Sequence, residues 1–251
     1  MDDKMKASKS PATKTRPSQT LKKQVADAVA WLKAHGSDRR RDEMGPRFGV
    51  YSDTAFGVSM VDTKALAKQL GRNHVLAAAL WETGLYDARM LASLVDEPDM
   101  VTPAQMDRWC RDFDNWGICD TVCFCLFDRT PHAYGKVAQW AKRRDEFVRR
   151  GAFALLASLA LHDKKAANDT FMLFFPLIES AADDDRNFVK KGVNWALRAI
   201  GKRNPQLRAG AIEVAERLAA SPIASARWVG KDALRDLAKT RTTKPAKGAK
   251  A

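Results

Sequence analysis

A chain of 251 residues, 45% hydrophobic and 29% charged, is long enough to bury a sizeable core without disulfides, which excludes the stapled miniproteins. Its longest nearly uninterrupted apolar stretch, Gly151 to Leu161, is too short to span a bilayer, and Met1-Asp2-Asp3-Lys4 opens no apolar secretory signal, so the chain is expected in the cytoplasm. The formal net charge of +13 sits mostly at the ends: residues 1–23 carry seven Lys/Arg against Asp2 and Asp3, residues 239–251 carry five against none, and residues 24–238 keep only +3.

Both ends are rich in Lys, Ser, Thr, Pro and Ala and poor in large apolar groups. Residues 1–21 and 239–251 are therefore expected to be disordered basic tails, either solubilising or able to bind polyanions without sequence preference, around one domain over 22–238. Within that domain, apolar residues recur at three- and four-residue spacing rather than in short alternating runs. In chain order they predict helices over 20–35, 61–70, 73–82, 85–96, 103–112, 117–127, 134–143, 145–161, 167–181, 185–202, 205–220 and 222–239. Thr102-Pro103, Asn204-Pro205 and Ser221-Pro222 mark helix starts, and Gly71, Gly84 and Gly201 fall near ends.

The second half repeats. Phe147-Val148-Arg149-Arg150-Gly151 matches Phe188-Val189-Lys190-Lys191-Gly192, and Trp228-Val229-Gly230-Lys231 follows about one further period on; Tyr86-Asp87-Ala88-Arg89 carries the same aromatic-x-x-basic element upstream. A period of roughly 40 residues belongs to helical-hairpin repeats, so the expected fold is an all-α solenoid of the HEAT or armadillo type. Equivalent positions in such a stack share a surface. Arg89, Arg150, Lys191 and Lys231 would then form a concave basic stripe suited to a phosphate backbone, or else are the snorkelling cations of ordinary amphipathic helices.

The densest polar cluster runs from Asp112 to Cys125. Asp114 or Asn115 can cap a helix there, whereas Asp120 lies in an otherwise apolar run from Ile118 to Leu126, where a carboxylate needs either a function or a partner such as Arg150. Cys110, Cys119, Cys123 and Cys125 match no zinc or iron–sulfur spacing and read as reduced, small core residues, and no phosphate-loop, dinucleotide or HExxH motif occurs, so neither metal nor cofactor is expected. Nothing places His35, His74, His132 or His162 beside a thiol. Among the seven tryptophans, Trp195 stands out because it follows the repeated Lys190-Lys191 pair.

Together, Asn115-Trp116-x-x-Cys119-Asp120-Thr121-Val122-Cys123, Phe147-Val148-Arg149-Arg150 and the run Phe188 to Arg198 resemble the bacterial DNA alkylation repair family, the HEAT-like-repeat alkylpurine DNA glycosylases of the AlkD type. Phe48-Gly49-Val50, Phe56-Gly57-Val58-Ser59-Met60 and Leu80-Trp81-Glu82 extend the resemblance over roughly residues 22–238. It implies a monomer that binds double-stranded DNA in the nucleoid, without a cofactor, and excises cationic N3- or N7-alkylated purines. Arg150 takes the place of the family's catalytic arginine, Trp195 of its cleft tryptophan and Phe48 of an N-terminal aromatic. In the family motif W-D-x-x-D, Asp120 takes the first carboxylate, Cys119 replaces the aromatic and Cys123 the second carboxylate, with Trp116 one turn earlier as a substitute aromatic face. Asp120 would then stabilise the developing sugar cation while Trp116 and Trp195 hold the charged base. The departure at Cys123 leaves a noncatalytic DNA-structure binder as the alternative reading, and a HEAT-type protein scaffold as a third.

Overall fold

The computed structural model describes residues 19–239. Its helices are α1 (Gln19–Ala34), α2 (Asp38–Phe48), α3 (Met60–Leu70), α4 (His74–Trp81), α5 (Tyr86–Val95), α6 (Pro103–Arg111), α7 (Trp116–Cys125), α8 (Ala133–Trp140), α9 (Glu146–His162), α10 (Asn168–Met172), α11 (Phe175–Ala181), α12 (Asn187–Gly201), α13 (Pro205–Ala219) and α14 (Ala224–Lys239). Single 3-10 turns lie at Pro98–Met100 and Phe127–Arg129. Most of the expected tail segments fall outside the described residues. Gln19, Thr20 and Leu21 open α1, however, and Lys239 still belongs to α14.

Local chemistry sets many of the boundaries. Ser37, Ser59, Asn73, Thr102, Asn115 and Asn204 each accept a bond from the backbone N–H three residues on, satisfying a donor that the first helical turn leaves open. Asn115 is thus the cap of α7, while Asp114 accepts from the Asn115 amide at 2.6 Å. Pro103 and Pro205 begin their helices, but the helix expected from Pro222 starts two residues later, at Ala224.

Two expectations are corrected. No helix was predicted between 35 and 61, yet α2 forms there. Its sequence, DRRRDEMGPRF, has no apolar stripe and buries only Gly45. It is held instead by the Ser37 cap, by ion pairs Arg39–Glu43 at 3.0 Å and Arg41–Asp38 at 2.9 Å, and by a left-handed Gly49 at its end. The helix expected over 167–181 breaks into α10 and α11, because Pro176 has no N–H for the carbonyl four residues back.

Successive helices stack as an all-α solenoid of hairpins: α9 packs on α7, α8 and α12, and α12 packs on α13 and α14. Trp81 and Trp109 stack at 4.0 Å between ring centres in the core, beside the buried Phe127. At the far end α14 lies directly on α13. A Cβ on Gly230 would fall 2.2 Å from the Ala219 nitrogen, so that approach requires glycine.

Side-chain bonds join elements of neighbouring hairpins. Trp81 Nε1 donates to Asp112 and Trp140 Nε1 to Asp107, both at 2.8 Å; Arg149 meets Asp184 at 2.9 Å and Asn194 meets Asp232 at 2.7 Å. The segment after α2 is fixed in the same way. The buried Asp87 carboxylate accepts from the N–H groups of Phe56 at 2.6 Å and Val58 at 3.0 Å, across a Gly57 with φ of 75°. The Phe56-Gly57-Val58 motif is therefore an anchor that holds α2 in place over α5.

Candidate nucleic-acid interface

Four helices enclose one cleft of about 340 Å³, lined by Phe48 from α2, Trp116 and Asp120 from α7, Arg150 from α9, and Phe188, Lys191 and Trp195 from α12. The Asn115 cap starts α7 at Trp116, and one helical turn carries Asp120 onto the same face. Across from it, Arg150 grips Asp120 with both ends of its fork: Nε to Oδ1 at 2.9 Å and Nη2 to Oδ2 at 2.7 Å. The remaining Nη1 donates to the Phe188 carbonyl at 2.7 Å.

Only 7% of the Arg150 side chain and 19% of the Asp120 side chain is exposed. Burial pushes the Asp120 carboxyl above its ordinary value, and Arg150 pulls it only part of the way back. Burial would lower Arg150, but the attraction of Asp120 outweighs it and the guanidinium is held above its ordinary value. The bidentate geometry is that of an ionised pair, so Asp120 is a carboxylate whose charge Arg150 largely cancels.

The aromatic walls are also tied together. The Trp116 indole N–H donates to the Phe48 carbonyl at 2.8 Å, and the Arg150 guanidinium lies 6.0 Å from the Trp116 ring centre. Phe48 itself is 50% exposed, so the cleft has an open aromatic edge. Lys191 is exposed, and it makes no ion pair among the described residues.

Phe48, Trp116, Asp120, Arg150, Lys191 and Trp195 thus come together as expected, while Arg89 and Lys231 lie outside the cleft. The four repeated cations do not form one exposed basic stripe. Lys191 and Lys231 face solvent; Arg89 stacks on Trp81 at 5.0 Å and donates to the Asp112 carbonyl, and Arg150 is consumed by Asp120. Phe188 was not singled out from sequence, although the aromatic-x-x-basic repeat that ends in Lys191 marks it.

Cys119 and Cys123 are fully buried and face α9, with sulfurs 3.7 Å from the Phe147 carbonyl and 3.5 Å from the Gly151 carbonyl. Neither reaches the cleft, which corrects the register placing them at the aromatic and second carboxylate of W-D-x-x-D. That motif separates its aromatic from its second carboxylate by four residues, the spacing of Trp116 and Asp120. Read three residues earlier, the departure from the motif falls on Gly117, where a side chain would meet the Tyr86 hydroxyl at 2.7 Å. Among the described residues no group of three or more His, Cys, Asp or Glu side chains could hold a metal ion, and no helix is long and apolar enough to cross a membrane.

Comparison with known proteins agrees with this architecture. Among solved structures, the chain is similar to a protein described as one of a new family related to the HEAT-like repeat DNA glycosylases with affinity for branched DNA structures. That likeness has 19% identity and a TM-score of 0.70, and covers 84% of this chain and 94% of that one. Two designed armadillo repeat proteins, one in complex with the peptide (KR)4, match at 14% identity with TM-scores of 0.32 and 0.34, covering 70% and 87% of this chain and 92% and 94% of theirs. No curated protein matches the sequence. The family described as DNA alkylation repair enzyme matches residues 28–237, almost the whole stack that builds the cleft, and the chain belongs to that DNA alkylation repair family.

Proposed function

We propose that the protein binds DNA at sites where bases are out of the helical stack, such as branch points, and that the cleft receives such a base. The observation that carries this reading is the charge and shape of the cleft. Its carboxylate is already paired with Arg150, which leaves Lys191 as the exposed charge among aromatic faces from Phe48, Trp116, Phe188 and Trp195. A phosphate backbone is attracted to such a surface, and aromatic faces stack only on bases that an intact duplex does not offer. The fold likeness to a protein with affinity for branched DNA supports the same reading. Arg150 is here a positioning residue that holds Asp120. The test is binding of a four-way junction and of a linear duplex of equal length at fixed salt. Affinity at least about tenfold higher for the junction, falling steeply with salt, is expected; equal affinity for both would remove the branch preference.

A second reading, excision of alkylated purines, is favoured by one specific observation: Trp116 and Asp120 stand one turn apart on one wall, with part of the Asp120 carboxylate still open to the cleft. An N3- or N7-alkylated purine already carries the positive charge that weakens its glycosidic bond. The protein then needs mainly a carboxylate near the sugar and aromatic faces around the base. Release of 7-methylguanine or 3-methyladenine from alkylated DNA by excess protein, reduced about a hundredfold or more by Asp120→Asn, would establish it. DNA that is bound but releases neither base leaves the binding reading alone.

A further inference from the structure

The tryptophans of this chain divide by environment. Trp81, Trp109 and Trp140 are buried, Trp31 stacks on His35, and Trp116 and Trp195 line the cleft. Trp228 fits none of these: it is 38% exposed on α14, whose inward face is already filled by Ser225, Ala226, Val229 and Ala233. The repeat gives its position a meaning. Trp228 is the counterpart of Phe188 in the cleft and of Phe147 one hairpin earlier, and Phe147 and Phe188 lie 5.4 Å apart. The aromatic line of the repeat thus runs on from Phe188, in the cleft, to Trp228 on the next hairpin, whose ring is reached by Lys190 of the Phe188 helix.

The charges at the same register change along that line. Around Phe147 both cations are neutralised, Arg149 by Asp184 and Arg150 by Asp120. At the next register Lys190 and Lys191 follow Phe188, and at the last Gly230 and Lys231 follow Trp228. Lys190 Nζ lies 5.1 Å over the Trp228 ring, and Lys190, Lys191 and Lys231 make no ion pair among the described residues. An indole 38% exposed, with the unpaired Lys190 over one ring face and Lys231 one turn on along α14, fits an anionic ligand with a flat aromatic part, which is the chemistry of a nucleotide. Lys190 covers one face of the ring, and an acidic peptide would satisfy the lysines but leave the other face unused.

We infer that Trp228 is a second stacking platform, outside the cleft, for an unpaired nucleotide of the bound DNA, with Lys190 and Lys231 on the phosphates around it. The inference rests on the DNA reading above and adds to it where a single-stranded arm leaves the cleft. It separates the roles of the two aromatic sites: the cleft takes one unstacked base, and Trp228 takes a base of the departing arm.

The test compares wild type, Trp228→Ala and Trp228→Phe on a splayed-arm DNA with single-stranded arms and on a blunt duplex of the same length. Trp228→Ala is expected to weaken splayed-arm binding about tenfold while leaving blunt-duplex binding within about twofold, and Trp228→Phe to recover most of the loss. Because an alanine at this position could unsettle α14, the wild-type protein is also irradiated with 5-iodouracil placed in the single-stranded arm, and a crosslink mapped to Trp228 is expected. An equal loss on both DNAs, no loss on either, or crosslinks that all fall elsewhere would overturn the platform. Wild-type protein that binds neither DNA overturns the DNA reading itself, and the platform with it.

Discussion

Replacing Asp120 by asparagine keeps the shape of the side chain and removes its charge. The change leaves a guanidinium that is 7% exposed facing an amide whose N–H groups cannot accept from it. Breaking a buried ion pair from one side typically costs 3–5 kcal/mol; since 19% of the Asp120 side chain reaches water, the lower end applies, about 3 kcal/mol. For a domain of this size that is a fall in melting temperature of about 6–12 °C. Arg150→Met should cost about as much, because it leaves a carboxylate in the same place without its cation. The double variant Asp120→Asn/Arg150→Met leaves neither charge stranded. It should therefore cost less than the sum of the two single changes by about 2 kcal/mol. Urea unfolding followed by far-UV circular dichroism on all four proteins measures this coupling. An Asp120→Asn protein that melts with wild type, or a double variant additive to within about 0.5 kcal/mol, would refute the view that the two residues hold each other.

Two further outcomes follow from the packing and the charges. Gly230→Ala should destabilise by about 1–3 kcal/mol, because its methyl group would press on the α13 backbone. Gly192→Ala, whose Cβ would sit 3.5 Å from Arg150 Cγ in ordinary contact, should be neutral or stabilising, and thermal melts of the two variants distinguish these effects. Burial pushes the Asp184 carboxyl up, but bonds from Arg186 and the charge of Arg149 pull harder and hold it below its ordinary value. Its folded value lies below the unfolded one, so its contribution is complete above about pH 4 and fades as the pH falls through the folded value. Asp184→Asn should accordingly be less stable than wild type at pH 7, by about 2 kcal/mol, with the gap narrowing as the pH falls below about 4 in urea titrations.

The helices that could be read from sequence were those with an apolar stripe. The α9 run from Gly151 to Leu161 and the caps at Thr102 and Asn204 locate themselves by periodicity and by side-chain chemistry. α2 could not be found that way, since its stability comes from surface ion pairs and a cap rather than from a buried face. The site was legible as a set of residues but not in its register. Cys119, Asp120 and Cys123 are close to the W-D-x-x-D spacing in the one-dimensional pattern, and only the direction each side chain takes from α7 shows that Trp116 and Asp120 share the cleft while the cysteines face the core. Arg89 and Arg150 looked like members of one basic stripe for a related reason. The acceptors that turn them inward, Asp112 and Asp120, lie 23 and 30 residues away, beyond what local pattern can pair.

Those separations also bear on how the molecule reaches its fold. Bonds between hairpins, such as Trp81 to Asp112 and Asn194 to Asp232, join residues 31 and 38 apart, so each hairpin can form and dock on its neighbour with little loop entropy to overcome. The bond from Trp116 to Phe48 spans 68 residues. The wall it closes belongs to α2, which buries only Gly45 of its own residues, and depends on a contact the rest of the stack does not need. On loop-closure entropy that contact should form after the hairpins it bridges, with the Asp87 anchor, 29 and 31 residues from its two partners, shortening the loop left to close.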